Sequence, residues 1–570
     1  MKTTRKILAA LLCLCLMIAC VSISAVAETE TDTGSITIKD QSGTNATVGG
    51  KKLRLFKIFR AEENANGNVA YSWIKDGDVN RYESFFFGDD DPALVDAEGN
   101  PLFPNLIGKE EGTIYDVVSY IGKMEQNSYE LSQMAANLHT YIHKKNILRD
   151  DEVIVATGLT SHTFGDLELG YYMVYDATDL PNDSPAVRSA AMLAQSGDNV
   201  TIELKADRPH IVKYVDDDKT DGVIDDLGTT ASIGDIVEFQ IATMIPNHTM
   251  YGNQYTFIIT DKMADGLEYV DGSIEVVLTE PGQAPITLTD DDINADIVTS
   301  GLADDVDLKV ELLKTTEIDQ DSVLEIFYQA KVLTTAEKIN VNTATLTYSN
   351  DPNDKKSRGN VSASANVCVW QTVITKYMEG ADGTLSSTRI AGAEFQIFKK
   401  EGGVVADQPL TFSVVDVDGA EYKKYIYDPA GTETTLKTYD GSVNADQYAQ
   451  ILIFGLGEGT YVVRETKAPT GYFLATGDFE YTVTDTIGLA GMVADAAITP
   501  TARETGVPGQ FTRVTISEPD LLVSFGITNR PSSALPGTGG MGTTLFTIVG
   551  IVLMAGALAF FTSRKRSRAV

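Results

Sequence analysis

Cysteine is nearly missing from the body of this 570-residue chain: three of its four cysteines, Cys13, Cys15 and Cys20, fall within the first 20 residues. Cys368 stands alone in the rest, which excludes a disulfide framework and a cysteine-rich metal cluster. Basic residues are also short, 45 lysines and arginines against 80 acids, for a net charge of −35. A surface of that sign repels a phosphate backbone, so nucleic acid is excluded as a partner. Long apolar runs occur only at the two ends, and the remainder has ordinary globular composition, 43% apolar and 22% charged. At 61.5 kDa the chain has room for roughly three to four domains.

Residues 1–27 read as a cleaved secretory signal. Lys2, Arg5 and Lys6 precede an apolar run from Ile7 to Ile18, and Ala25-Val26-Ala27 offers a small-residue cleavage site. A lipoprotein signal cut before Cys20 is a weaker match. At the other end, Leu535-Pro536-Gly537-Thr538-Gly539 precedes an apolar run over 545–561 and then Arg564, Lys565, Arg566 and Arg568. The run is just long enough to span a bilayer, and the basic cluster behind it acts as a cytoplasmic stop. Motif, span and basic tail in that order resemble a Gram-positive sortase sorting signal. The resemblance implies cleavage between Thr538 and Gly539 by a sortase. Both ends together remove seven basic and no acidic residues, leaving 38 basic against 80 acidic, a net charge of −42.

Between the ends, alternating segments such as Val237-Glu238-Phe239-Gln240-Ile241 and Ala344-Thr345-Leu346-Thr347-Tyr348 are separated by frequent turn residues. This pattern predicts an all-β chain of antiparallel, immunoglobulin-like sandwiches. The exception lies between Ile114 and Leu148, where Val117, Val118, Ile121 and Met124 recur at helical spacing and predict one or two helices inserted in the first domain. Expected boundaries are 28–207, 208–367 and 368–533, with the sorting signal at 534–570.

Strand phase makes a sharper statement, because alternate side chains share a face. Lys213 is in phase with Ile211 and Val215, Asp261 with Phe257 and Ile259, and Asn342 with Ala344 and Leu346. Farther along, Lys376 is in phase with Ile374 and Met378, Glu465 with Tyr461 and Val463, and Asn529 with Phe525 and Ile527. Each later domain therefore aims a lysine, an acid and an asparagine inward. One reading is a buried ion pair with the asparagine satisfying leftover donors. The other is chemical: burial favours the neutral amine and the protonated acid, which makes the lysine a nucleophile and the acid a proton relay. The product would be a Lys–Asn isopeptide bond with release of ammonia.

Val463-Arg464-Glu465-Thr466-Lys467-Ala468-Pro469-Thr470-Gly471-Tyr472 resembles the E-box of the collagen-adhesin B-type domain, with Lys376 and Asn529 at matching positions. Ala231-Ser232-Ile233-Gly234-Asp235, Asp261-Lys262 and the stretch from Asn342 to Asn350 resemble the aspartate-dependent isopeptide domain of fimbrial subunits. With the sorting signal, the whole chain resembles a Gram-positive major (backbone) pilin. That resemblance implies Lys213–Asn342 and Lys376–Asn529 bonds, with Asp261 and Glu465 as their catalytic acids. Asn340, two residues upstream on the same face, is a lesser candidate for the Lys213 bond. It also implies sortase, further copies of the chain and peptidoglycan as partners, and leaves minor pilins and host surface ligands open. The chain is then a secreted, wall-attached structural protein held briefly in the membrane by 545–561, not an enzyme, and needs no cofactor.

Backbone pilins of this family carry a linking lysine just before the second domain, commonly as Tyr-Pro-Lys-Asn. Here Lys205 takes that place, although Glu203-Leu204 and Ala206 replace its neighbours. Strand phase aims Lys205 outward, opposite Ile202 and Leu204. Since Lys39 also points out and Ala206 replaces the asparagine, no internal bond is expected in the first domain. An alternative reading is a wall-anchored adhesin displayed as single molecules, for which Lys205 would have no role. His139 and His143 lie one helical turn apart without a third ligand, and the runs Asp89–Asp91 and Asp216–Asp218 lack calcium-loop spacing, so no metal is expected. Cys368 reads as a small packed residue.

Overall fold

The computed structural model describes residues 33–42, 46–87, 112–124, 129–483, 515–517, 521–532 and 541–566, with short breaks at 182, 198–199, 217–223, 225, 290–294, 303–305, 355, 381–384, 418–419 and 476. The signal segment and the Leu535–Gly539 motif lie outside the described residues. Two compact units form: the first extends to Trp370 and the second starts at Gln371, apart from short segments later in the chain that group with the first.

Strand follows strand throughout, as the alternation requires. In the first unit, the described strands before residue 204 pair among themselves. Thr33–Lys39 lies between Ser161–Glu168 and, in parallel, Val200–Glu203. A second sheet is built on Lys52–Glu63 and Gly170–Asp176. The helical pattern resolves into Ile114–Ile121 and Tyr129–Lys144, preceded by a short helix Glu83–Phe87. Their apolar faces, with Phe85, Phe86, Val117, Leu138 and Ile142, join Phe59 and Met173 of the sheet in one core.

Strands from 211 to 368 form two facing six-stranded sheets. One contains Ile211–Val215, Ile236–Met244 and Val323–Val332 as neighbours. The other contains Phe257–Met263, Ile339–Ser349 and Arg358–Cys368. Burial alternates residue by residue along Ile211–Val215 and Phe257–Met263, the signature of sheets with one face in a core.

The second unit repeats the two-layer plan. Trp370–Glu379 and Leu522–Asn529 pair in parallel within one sheet, with Met378 opposite Asn529. Glu394–Glu401, Gly459–Lys467 and Phe479–Val483 are neighbours in the other. The terminal helix Met541–Arg566 includes 21 residues, Thr544–Arg564, of mean hydropathy 2.3 and none of it buried. At about 1.5 Å per residue it is long enough to cross the hydrocarbon of a bilayer.

Candidate functional site

The first cluster spans the two sheets of residues 211–368. Lys213 and Tyr328 enter from one sheet, Asp261 and Asn342 from the other. All four side chains are essentially inaccessible to water. Register explains the gathering: Asn342 pairs with Met263, so on the inward face it is the diagonal neighbour of Asp261. Val215 and Tyr328 both pair with Phe239, which sets the lysine and the phenol over one ring. The Lys213 ammonium lies 5.2 Å from the centroids of both Phe239 and Tyr328.

Lys213 forms a short ion pair with an Asp261 oxygen and donates to Tyr328 Oη at 2.6 Å. Tyr328 donates to the other Asp261 oxygen at 3.1 Å, and Asn342 Nδ2 donates to Tyr328 Oη at 2.8 Å. The Asn342 carbonyl oxygen is buried and accepts no hydrogen bond among the described residues. Burial lowers the Lys213 amine to about 8, with Asp261 opposing the shift. Burial likewise raises the Asp261 carboxyl, against the pull of Lys213. Both shifts favour a neutral amine beside a neutral acid.

Asn340, the lesser candidate, is held by bonds of its own. Its side chain accepts from Glu337 N and donates to the carbonyls of Glu337 and Val367, so both ends of the amide are used in clamping a turn.

In the second unit, Lys376 and Asn529 come from the parallel pair and Glu465 from the facing sheet. Lys376 Nζ is 3.0 Å from Glu465 Oε1, with both side chains fully buried. Glu465 Oε2 accepts from Asn529 Nδ2 at 2.8 Å and from the Ala475 amide at 2.8 Å. The Asn529 amide also donates to the Phe473 carbonyl, and its own oxygen is buried without a hydrogen bond among the described residues. Here the acid touches lysine and asparagine directly. Phe395 flanks the amine at 5.5 Å.

Lys205 keeps the phase opposite to Leu204. It lies just past the strand Val200–Glu203 and is half-buried, between the buried Leu204 and Ala206. Its amide is bonded to Ser189 Oγ at 3.0 Å and its carbonyl accepts from Ala190 N, which draws the segment onto the domain. Burial lowers its amine pKa. Lys39 points outward as expected, in an exposed ion pair with Glu203 at 3.0 Å. His139 stacks on Tyr175 while His143 remains exposed, and burial lowers the His139 imidazole to about 3. Among the described residues no group of three or more potential metal ligands gathers.

Phase alone missed Tyr328. It shares its inward face with Leu324, Ile326 and Ala330, where an aromatic reads as ordinary core. An inward hydroxyl two strands from an inward lysine was the only available signal.

Residues 383–492 match the family model described as SpaA, prealbumin-like fold domain. The trypsin-resistant surface T6 protein of Streptococcus pyogenes serotype M6 is 24% identical over 388 residues, covering 64% of this chain and 70% of that protein. The solved T6 backbone pilin of the same serotype, described as a modular three-domain structure, superposes with a TM-score of 0.50 at 16% identity. That match covers 89% of this chain and 100% of the other. The full-length major pilin SpaD of Corynebacterium diphtheriae gives a TM-score of 0.41 at 15% identity, over 88% of this chain and 98% of that one.

Proposed function

We propose that this chain, similar to the Gram-positive backbone pilins and all-β like them, is a structural protein and not an enzyme, the shaft subunit of a covalent surface pilus. The observation that carries the reading is the pair of dry lysine–acid–asparagine clusters. Structural ion pairs do not call for an asparagine whose carbonyl is left unbonded in the core. An amide about to be attacked by the lysine does. In this reading Lys213 joins Asn342 under Asp261, and Lys376 joins Asn529 under Glu465. Three domains, 28–207, 208–367 and 368–533, follow one another. The first has no bond of its own, since Lys39 and Ala206 supply neither partner.

Assembly follows from the ends. Sortase would cut the Leu535-Pro536-Gly537-Thr538-Gly539 motif after Thr538, while the helix Met541–Arg566 holds the precursor in the membrane. The Thr538 carbonyl then passes to Lys205 of another copy, and the last subunit to peptidoglycan. The half-buried Lys205 suits this role, because a lowered amine pKa raises the neutral, nucleophilic fraction near neutral pH.

The test is the intact mass of the secreted chain, which should be lower by two ammonia molecules, with peptide mapping to the two named pairs. A mass equal to that of the unmodified polypeptide removes the isopeptide reading and leaves two buried ion pairs.

A further inference from the structure

The two clusters differ in how the acid reaches its amide. Glu465 forms an ion pair with Lys376 at 3.0 Å and accepts a hydrogen bond directly from Asn529. Asp261 pairs with Lys213, but among the described residues it makes no hydrogen bond to Asn342. Tyr328 fills that gap. Its hydroxyl accepts from Lys213 Nζ and from Asn342 Nδ2 and donates to Asp261 Oδ1, which saturates the capacity of a phenol. Among the described residues it is the one side chain bonded to the nucleophile, the leaving nitrogen and the acid together.

We propose that Tyr328 is a catalytic residue of the Lys213–Asn342 cross-link, carrying the proton from the attacking nitrogen to the departing one. This rests on the isopeptide reading above. Lys213 first gives a proton to Asp261 and becomes a neutral amine. Its Nζ attacks Cγ of Asn342, forming the new C–N bond. Cγ becomes tetrahedral and Nδ2 regains a lone pair. The Tyr328 hydroxyl then donates its proton to Nδ2 across the contact now at 2.8 Å and takes one from Nζ across the contact now at 2.6 Å. The Cγ–Nδ2 bond breaks and ammonia leaves with its own two hydrogens and the one given by the Tyr328 hydroxyl, which the proton from Lys213 Nζ replaces. Tyrosine ends neutral, Asp261 remains protonated, and no oxidant or metal is involved. Burial keeps the phenol protonated well above its ordinary range, so it is available as a donor.

The experiment is cell-free synthesis of the full chain as wild type, Tyr328→Phe and Lys213→Ala, with both cross-links followed over time by mass spectrometry of proteolytic fragments. Tyr328→Phe should form the Lys376–Asn529 bond at the wild-type rate and the Lys213–Asn342 bond about 100-fold more slowly, the scale of a lost general acid–base. Its protease resistance should equal that of Lys213→Ala, which is unlinked for a different reason. Equal rates in wild type and Tyr328→Phe would overturn the proposal. A lag accompanied by lower protease resistance than Lys213→Ala would also overturn it, as the hydroxyl would then serve folding. If the wild type itself never joins Lys213 to Asn342, the pairing proposed above fails, and this role fails with it.

Discussion

A lysine buried at 0% exposure with a lowered pKa is a liability that the proposed cross-link would remove. Lys213 at about 8, against an ordinary 10.5, makes the unlinked domain less stable by on the order of 3 kcal/mol at neutral pH. The sign follows from proton counting: between about 8 and 10.5 the unfolded chain holds the proton and the folded chain does not, so stability of the unlinked form rises with pH across that window. The proposed bond to Asn342 would abolish the titration. An Asn342→Ala chain, which retains lysine and acid but cannot link, should therefore gain stability from pH 8 to 10, while the wild type should not, as read by urea midpoints at each pH. The same variant loses closure of a loop of about 130 residues, on the order of 4–5 kcal/mol by chain entropy. Glu465→Ala should leave Lys376 and Asn529 unjoined and the variant heavier by one ammonia than its own doubly linked mass, with the Lys213–Asn342 bond intact. Intact mass separates these outcomes.

Among the elements, the segment 183–188 is the least expected. It leaves the first sheets and lies along the strands Ile339–Ser349 and Arg358–Cys368. Asp183 bridges Gly359, Tyr348 donates to the Pro185 carbonyl at 2.6 Å, and Asn350 donates to the carbonyls of Ser184 and Ala186. Arg188 closes the strap through a short ion pair with the buried Asp351. Gly359 is required there, because a Cβ at that position would meet the Ser184 oxygen at 2.3 Å. Arg188→Ala leaves Asp351 buried without its cation and should destabilise the first unit by about 3–5 kcal/mol. Calorimetry should show that loss, with both cross-links still forming. Nothing in the local sequence announces the strap, since its bonds are made to residues more than 160 positions away. The inserted helices, by contrast, were legible as a 3.6-residue apolar repeat. The inward lysines, acids and asparagines were legible as a two-residue one. Periodicity could not separate Asn340 from Asn342, which share a face; the bonds Asn340 makes in the Glu337 turn favour Asn342 in the proposed linkage.

At the scale of the molecule, the reading turns on Lys205. Wall extracts of cells expressing the chain should give a ladder of high-mass bands on SDS immunoblots, and Lys205→Ala should collapse it to the monomer. A persistent ladder would move the linkage to another lysine. No ladder in either strain would favour an adhesin displayed singly. The sequence by itself determined the features that depend on order along the chain: apolar ends with basic flanks, an acidic surface, strand alternation and which side chains turn inward. These are properties of segments a few residues long, where backbone geometry fixes the period. Which inward groups meet was decided only by tertiary structure, because it depends on how two sheets face each other and in what register. That is why Lys213, Asp261 and Asn342 could be named from sequence, while Tyr328, the group that joins them, could not.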